Sequence, residues 1–573
     1  MTDPAAASAP RRAWPWLVVL ASAALGLGLI VDAAGRSSAT YDEVTYLKVG
    51  ARWWRTGEQA TISRMGTPLT FWKLQQTPTL FLIDRFGDPA WIDDPIAHQA
   101  RLLPRVRIGG AWAWLAAFAL TAGWARAWYG GRAMALAAAV FALSPNLLAH
   151  GTLATMELPL VAAATAMVLA FARFLRSGRR RWFWASAALG GLAFSCKFTT
   201  VIIPPILGLI WAGDRWSRRD AARPLAVAAW GVAWRVGLGM VAYAAALAGA
   251  DVVLTGGEMI RLSPRSGPHP SLGHFGPMIA GLVAPILERR FPQDWVGFAT
   301  QMIFQRNGGP SYLLGQRRCS GWWAYYPTCL AVKVPLACWF LVLVRARWRP
   351  SPGLAARREW FLLAYLGLFL LAAVVGSKRN YGVRYLLPLA PAAIVWTSAL
   401  ANAPAGRRWV PWAGVAGMAL AVASVHPHEL SYFNRAAGGP EGGRRVLSDS
   451  NLDWGQGARA VARLQADRPE FRDLTWYAFG DTDPAHYGVT GSIYLIDAHR
   501  PPANLPPTLM AATSHLAVSA SLQWGPWGPP GYFAELDRLE PVAFSDDWTV
   551  AFYRTADLVA ARADPVRTGP GPD

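Results

Sequence analysis

The sequence predicts an α-helical polytopic membrane protein, about eleven transmembrane helices followed by a small C-terminal α/β domain outside the membrane. Three observations carry this reading. Of its 573 residues, 53% are hydrophobic and only 16% charged, well below the roughly 25% of an ordinary soluble domain. Apolar runs that approach the ~20 residues a helix needs to cross a bilayer recur along the chain. The arginine-rich stretches between those runs all fall on one side when the chain is threaded through a membrane, as orientation by positive loops requires.

In chain order the candidate spans are 14–33, 108–128, 132–149, 155–175, 183–196, 198–213, 236–254, 326–344, 359–376, 383–402 and 409–425. Arg11 and Arg12 precede the first run, and Ala-Ser-Ala at 21–23 lies inside it rather than after it. The first span is therefore expected to stay uncleaved. With a cytoplasmic N-terminus, the inner turns collect Arg173, Arg176 and Arg179 to Arg181; Arg215, Arg218, Arg219 and Arg223; Arg345, Arg347, Arg349, Arg357 and Arg358; and Arg407 with Arg408. Spans 183–196 and 198–213 are separated only by Lys197, which predicts a tight hairpin at the outer face. Arg235 reads as a snorkelling start to the next span.

Three large pieces fall outside: loops of about 35–107 and about 255–325, and everything from His426. Between Gly35 and Pro104 the first loop balances 8 basic against 7 acidic residues. Its Trp53, Trp54, Phe71, Trp72, Phe81, Leu82 and Phe86 are spaced as in amphipathic helices lying in the headgroup plane. From His426 the pattern changes. Leu474–Phe479, Ser492–Ile496, Leu516–Ala520 and Trp548–Tyr553 read as strands, with helices over Gln456–Ala466 and Gly531–Leu539. The expected organisation is a membrane unit at 1–425, an α/β domain at 426–562 and a disordered tail at 563–573, with no internal repeat.

The net charge of +20 does not mark a nucleic-acid binder. From His426 onward acidic residues outnumber basic ones by 18 to 12, so the positive excess belongs to the membrane part, much of it in short loops. Cys196, Cys319, Cys329 and Cys338 have no metal-ligand spacing, and Cys329 falls within a predicted helix, which disfavours a bond to Cys319. Gly26-Leu-Gly28 sits inside the first span and reads as helix packing. Asp481-Thr-Asp483 reads as a turn rather than a metal-nucleotide motif. Asp449-Ser-Asn451-Leu-Asp453 opens like a calcium loop, but Gly455 comes one place late and the twelfth position is Ala460.

The chemistry-bearing residues gather at the outer face. Asp42 and Glu43 follow the first span, and Glu157 opens the fourth. Acids there suit base catalysis on an acceptor hydroxyl or amine, or metal coordination. Lys73, Arg101, Lys197, Lys333 and Arg384 lie at the same side against the positive-inside bias, and such a set suits an anionic lipid head group. A transporter or flippase is the rival class. It predicts acids near mid-bilayer and recognisable repeated halves.

Tyr41-Asp42-Glu43, Glu157, Lys197-Phe-Thr-Thr, Tyr325-Tyr-Pro with Lys333-Val-Pro, and Arg384-Tyr385-Leu-Leu-Pro resemble landmarks of a known family. These are the polyprenyl-phosphate-sugar-dependent glycosyltransferases of the GT-C fold, in the branches of the protein O-mannosyltransferases and lipid A aminoarabinose transferases. His426-Pro-His-Glu and Ser448-Asp-Ser-Asn-Leu-Asp-Trp-Gly-Gln are similar to stretches in many bacterial members. The resemblance implies a GT-C-like membrane enzyme of the bacterial cytoplasmic membrane, with its site and C-terminal domain on the extracytoplasmic side. It implies a polyprenyl-phosphate-linked sugar as donor, a protein, lipid or envelope polymer as acceptor, and inverting displacement. On it, Asp42 is the base, Glu157 the second acid, Glu43 a binding residue, and Lys197 and Arg384 contacts of the lipid phosphate, with Tyr385 beside Arg384 expected to bind substrate. Lys73 is followed by Leu-Gln-Gln-Thr-Pro78 where some members have two prolines. Some members use a divalent metal ion and others none, so the metal question stays open.

Overall fold

The computed structural model describes residues 13–58, 63, 65–67, 70–218, 225–256, 259–261, 290–348, 354–497, 505–510 and 512–563, without the side chains of 70–74, 225, 261 and 354–356. The membrane part is built from α1 (Trp14–Ala33), α2 (Tyr41–Thr56), α3 (Thr70–Phe86), α4 (Gln99–Tyr129), α5 (Gly131–Ala142), α6 (Pro145–Thr152), α7 (Glu157–Ser177) and α8 (Arg180–Phe194). It continues with α9 (Ile203–Ser217), α10 (Leu225–Thr255), α11 (Gln293–Asn307), α12 (Tyr325–Lys333), α13 (Leu336–Arg347), α14 (Leu354–Gly376), α15 (Ala390–Ser398) and α16 (Trp409–Ala423). A 3-10 turn, Val383–Leu389, leads into α15.

All eleven predicted spans are helical. Among the described residues, six helices are long and apolar enough to cross a membrane, or eight if each of two bent pairs counts as one span. The bends correct the expectation of straight spans at 132–149 and 326–344. Helices α5 and α6 meet at 61°, and α12 and α13 at 104°. Both breaks stand before a proline, which drives its predecessor out of helical geometry. Ser144 (ψ 111°) precedes Pro145, and Val334 (ψ 131°) precedes Pro335. The two breaks touch, with Asn146 Nδ2 donating to the carbonyl of Lys333 at 2.7 Å. Three other predicted spans are 15-residue helices, α8, α9 and α16, each about 22 Å long.

The first loop forms α2 and α3 rather than irregular chain. Two short antiparallel strand pairs follow: β1 (Met259–Arg261) with β2 (Arg290–Pro292), and β3 (Ser311–Leu313) with β4 (Gln316–Arg318). Gly26 packs helix on helix, since a Cβ there would sit 2.3 Å from the buried Trp114 ring. All four cysteines are free.

The C-terminal region forms the expected α/β layer. Strands β5 (Leu474–Phe479), β6 (Ser492–Ile496), β7 (His515–Ser519), β8 (Ala543–Phe544) and β9 (Val550–Arg554) form one sheet in the order β6-β5-β7-β9-β8. β5 runs parallel to β6 and β7, while β9 is antiparallel to β7 and β8. Helix α17 (Ala458–Asp467) packs on it with a strongly one-sided apolar face. The predicted helix at 531–539 is a turn plus a 3-10 helix at Ala534–Arg538. Thr555–Ala563 forms a further helix, α18, and the rest of the predicted tail lies outside the described residues.

Candidate active site

The site is built on the first turn of α2. Thr40 precedes the helix in extended geometry, and Glu43, three residues on, reaches back to its N–H (3.0 Å) and accepts from its hydroxyl (3.1 Å). This capping arrangement satisfies donors a helix start leaves open. Glu43 is also gripped by Arg107 of α4, at 2.9 Å from Nε and 2.6 Å from Nη2, and by the Ala154 N–H at 2.7 Å. Both side chains are fully buried. Arg107 further donates to the carbonyls of Ala34 and Ser38, each at 2.9 Å. Burial raises the Glu43 carboxyl, but the Arg107 guanidinium and the backbone donors outweigh it and hold it below the usual range.

Asp42, one residue earlier, points elsewhere. Its Oδ2 accepts from Arg384 Nη1 at 3.0 Å, and the same nitrogen lies 3.6 Å from Glu157 Oε1. The two carboxylates are therefore no further apart than those distances together, well inside the ~10 Å compatible with one substrate pocket. Glu157 Oε1 also accepts from Lys197 Nζ at 2.8 Å. Lys197 can reach because it sits in extended geometry between α8 and a 3-10 turn, Phe198–Ile202. Its ammonium lies 4.4 Å from the centre of the Tyr385 ring. Four charges from four elements thus form one network, in which each carboxylate is paired as a buried charge must be.

The network opens into a cavity of about 390 Å³. Val201, Ile202, Phe369, Ala372 and Ala373 give it an apolar wall, and Asp42, Glu157, Lys197, Arg384 and Tyr385 a polar one. Access separates the two acids: the Asp42 side chain is 28% exposed and that of Glu157 only 2%. Burial pushes the Asp42 carboxyl up, and the nearby Glu157 and Asp449 carboxylates add to this against the pull of Arg384.

Other expected substrate residues lie elsewhere. Glu43 is enclosed by Arg107, and Arg101 is exposed on α4; neither lines the cavity. Lys333 is buried and turned away, donating to the carbonyls of Leu430 (2.9 Å) and Asn451 (2.5 Å) in the C-terminal region. Lys73 lies in α3, but its side chain is outside the described residues. The sequence reading missed Arg379, Asp449, Trp454, Phe479 and Trp527, all of which line the cavity. Phe479 stands between Tyr41 (5.9 Å, 10° between planes) and Trp527 (6.0 Å, 7°), a three-ring wall supplied mostly by the C-terminal region. Asp449 accepts from the Trp527 indole at 2.8 Å. The Ser448–Gln456 stretch was a signal for Asp449 and Trp454; Arg379, Phe479 and Trp527 had none. Of the motifs set aside, Asp483 accepts from Ala485 N in a tight turn, and Asp449 adopts a positive φ of 59°.

Among the described residues no group of three or more His, Cys, Asp or Glu is arranged to hold a metal ion, and Asp42 and Glu157 are both turned onto cations.

At the sequence level no curated protein matches the chain. Solved structures similar to it include ArnT from Cupriavidus metallidurans, at 14% identity and a TM-score of 0.41, both in the apo state and bound to undecaprenyl phosphate; the alignments cover 95% and 96% of this chain and 99% of that one. The archaeal oligosaccharyltransferase AglB from Archaeoglobus fulgidus, in complex with an inhibitory peptide and a dolichol-phosphate, is similar at 13% identity and a TM-score of 0.38, over 95% of this chain and 74% of that one. Residues 103–236 match the family model of dolichyl-phosphate-mannose-protein mannosyltransferase, in agreement with the GT-C resemblance carried by the short motifs. The chain is thus a multi-pass helical membrane protein in which the segment bearing Glu157 and Lys197 is similar to the dolichyl-phosphate-mannose-protein mannosyltransferases.

Proposed function

We propose that this chain is a membrane glycosyltransferase that moves a sugar from a polyprenyl-phosphate carrier to an acceptor hydroxyl or amine, on the extracytoplasmic side of a bacterial cytoplasmic membrane. The membrane unit 1–425 does the chemistry, and the region 426–562 closes the cavity from outside. One observation carries this reading: Asp42, with a raised proton affinity, faces a cavity whose lining combines apolar side chains with the Lys197 and Arg384 cations. That pairing of surfaces suits a lipid chain joined to a phosphate. The family match at 103–236, whose description names a dolichyl-phosphate-linked mannose as donor, supports the same donor class.

In the proposed step Asp42 takes the acceptor proton. The freed electron pair forms a bond to the anomeric carbon, and the bond from that carbon to the phosphate oxygen breaks on the opposite face. Inversion follows from this single displacement. The carrier phosphate leaves with the electron pair and gains charge, which Lys197 and Arg384 stabilise more strongly than in the ground state. Glu157, buried between them, keeps both cations in place. Tyr385 covers the Lys197 ammonium.

The test uses purified full-length protein with radiolabelled polyprenyl-phosphate mannose and polyprenyl-phosphate aminoarabinose, each with envelope extract as acceptor. Wild type transfers label, and Asp42→Asn loses about 10²- to 10⁴-fold, the range of a general base. Transfer that Asp42→Asn leaves undiminished overturns Asp42 as base.

A further inference from the structure

The stretch Ser448–Gln456 belongs to no helix or strand longer than a single 3-10 turn, yet it docks on both halves of the charge network. Trp454 is 3% exposed, and its indole lies 4.1 Å from the Arg384 guanidinium carbon. A desolvated guanidinium over a Trp face is held strongly. The Trp454 carbonyl accepts from the Tyr41 N–H at 2.8 Å, one residue before Asp42. Next to it the Gln456 carbonyl accepts from Ser38 N (3.1 Å), and Ser38 Oγ accepts from Ala458 N (3.0 Å). Within the stretch, Gln456 Oε1 accepts from Trp454 N at 2.7 Å and its Nε2 donates to Leu452 O at 2.7 Å. The approach needs Gly455. It has φ +90°, and a Cβ there would stand 3.2 Å from both Gly480 Cα and the Phe479 carbonyl.

We propose that Trp454 is a positioning residue: its ring holds Arg384, and its carbonyl the first turn of α2, in the register that joins Arg384 to Asp42. The inference rests on the reading of Asp42 as base, but its contacts stand independently of the donor. The groups that face Asp42 are Arg384 from the turn before α15, Glu157 of α7 with Lys197 behind it, Asp449 of the same stretch, and Tyr41 and Tyr46 of α2. Of the charged groups among these, Arg384, and Lys197 at one remove, favour the ionised carboxylate. Loosening Arg384 therefore raises the proton affinity of Asp42.

The decisive readout needs no turnover. Carboxylate infrared difference titration of each full-length variant against the same variant carrying Asp42→Asn reads the Asp42 midpoint directly. Trp454→Leu is expected to move that midpoint up by about one pH unit, the size of a typical nearby-charge effect. Trp454→Phe, which keeps a ring under Arg384, stays near wild type. If Trp454→Leu does not fold, Trp454→Met is read in its place. In the transfer assay the acidic limb of kcat follows the same shift, with little change in donor KM. An unmoved midpoint in a folded Leu or Met variant overturns the proposal, as does a rise in KM with the limb unmoved, which marks direct substrate contact instead. Absence of wild-type transfer with both polyprenyl-phosphate sugars defeats the glycosyltransferase reading, while the infrared midpoint still decides the role of Trp454.

Discussion

Asp42, Glu43 and Glu157 are three acids within one neighbourhood, and their partners give them three different roles. Glu43 is saturated by a guanidinium and backbone donors, so it fixes a helix start. Glu157 is buried between Lys197 and Arg384, so it orders cations. Asp42 keeps open access to the cavity. Because its carboxyl is raised, transfer is expected to rise with pH through a midpoint above the ordinary ~3.9 of an aspartate. Glu157→Gln keeps an amide oxygen to accept from Lys197, so the cations stay placed, while it removes a like charge that opposes ionisation of Asp42; the acidic limb of kcat therefore shifts to lower pH, opposite in sign to Trp454→Leu. A pH–rate profile of the two variants checks both directions. Asp42 and Glu157 were legible because isolated acids beside apolar runs stand out. The role of Glu43 was half legible. Thr40-x-x-Glu43 is a capping signature in its own right, but its partner Arg107 lies 64 residues away at the start of an apolar helix, where hydropathy gives no hint of a pair.

At the scale of elements, α2 is held to α4 by the Arg107–Glu43 pair, and the same guanidinium holds the chain at 34–38 that leads into α2. Removing one partner of a buried pair leaves an uncompensated charge, which costs about 3–5 kcal/mol. Glu43→Gln is therefore expected to lower the thermal unfolding temperature clearly, whereas Glu43→Gln with Arg107→Met recovers part of the loss. Unfolding followed by circular dichroism in detergent reads both. The lowered Glu43 carboxyl gives the sign of its pH dependence. Its contribution is present above the ordinary ~4.3 of a glutamate and is lost as pH falls through the lower native value. The helices themselves were readable from hydropathy and arginine placement. The two bends were not read, although Ser144-Pro145 and Val334-Pro335 are in plain view, because an apolar window averages over a proline. Lys333 was misplaced because its partners, the carbonyls of Leu430 and Asn451, lie about a hundred residues further along the chain, where hydropathy shows no pairing.

On the scale of the whole molecule, the joint between the C-terminal region and the membrane helices contains two titrating groups whose signs agree. Asp453 accepts from Ser521 N (2.8 Å) and Gly455 N (3.0 Å). Burial, with the Asp547 and Asp449 carboxylates adding, pushes it up to about 7. A raised acid stabilises the fold below its ordinary value, and that contribution is lost as pH rises through about 7. His426 bridges Glu429 (2.6 Å) and Asp32 of α1 (3.2 Å), and the Glu429 hydrogen bond raises it above the usual histidine value. A raised histidine likewise contributes below ~6.5, and the contribution is lost as pH rises through the native value. The contacts of 448–456 and 519–523 are thus expected to open more often as pH rises from about 4 through 7, with the histidine adding its share above ~6.5. Hydrogen exchange in those two segments, measured across that range at matched intrinsic rates, reads the opening. Asp453→Asn leaves only the histidine share of the dependence, and with His426→Gln the slope disappears. A steeper slope in the double variant, or protection that rises with pH in wild type, contradicts this account. Because the same stretch carries Trp454 against Arg384, the joint that loosens is also the one that holds the charge network beside Asp42.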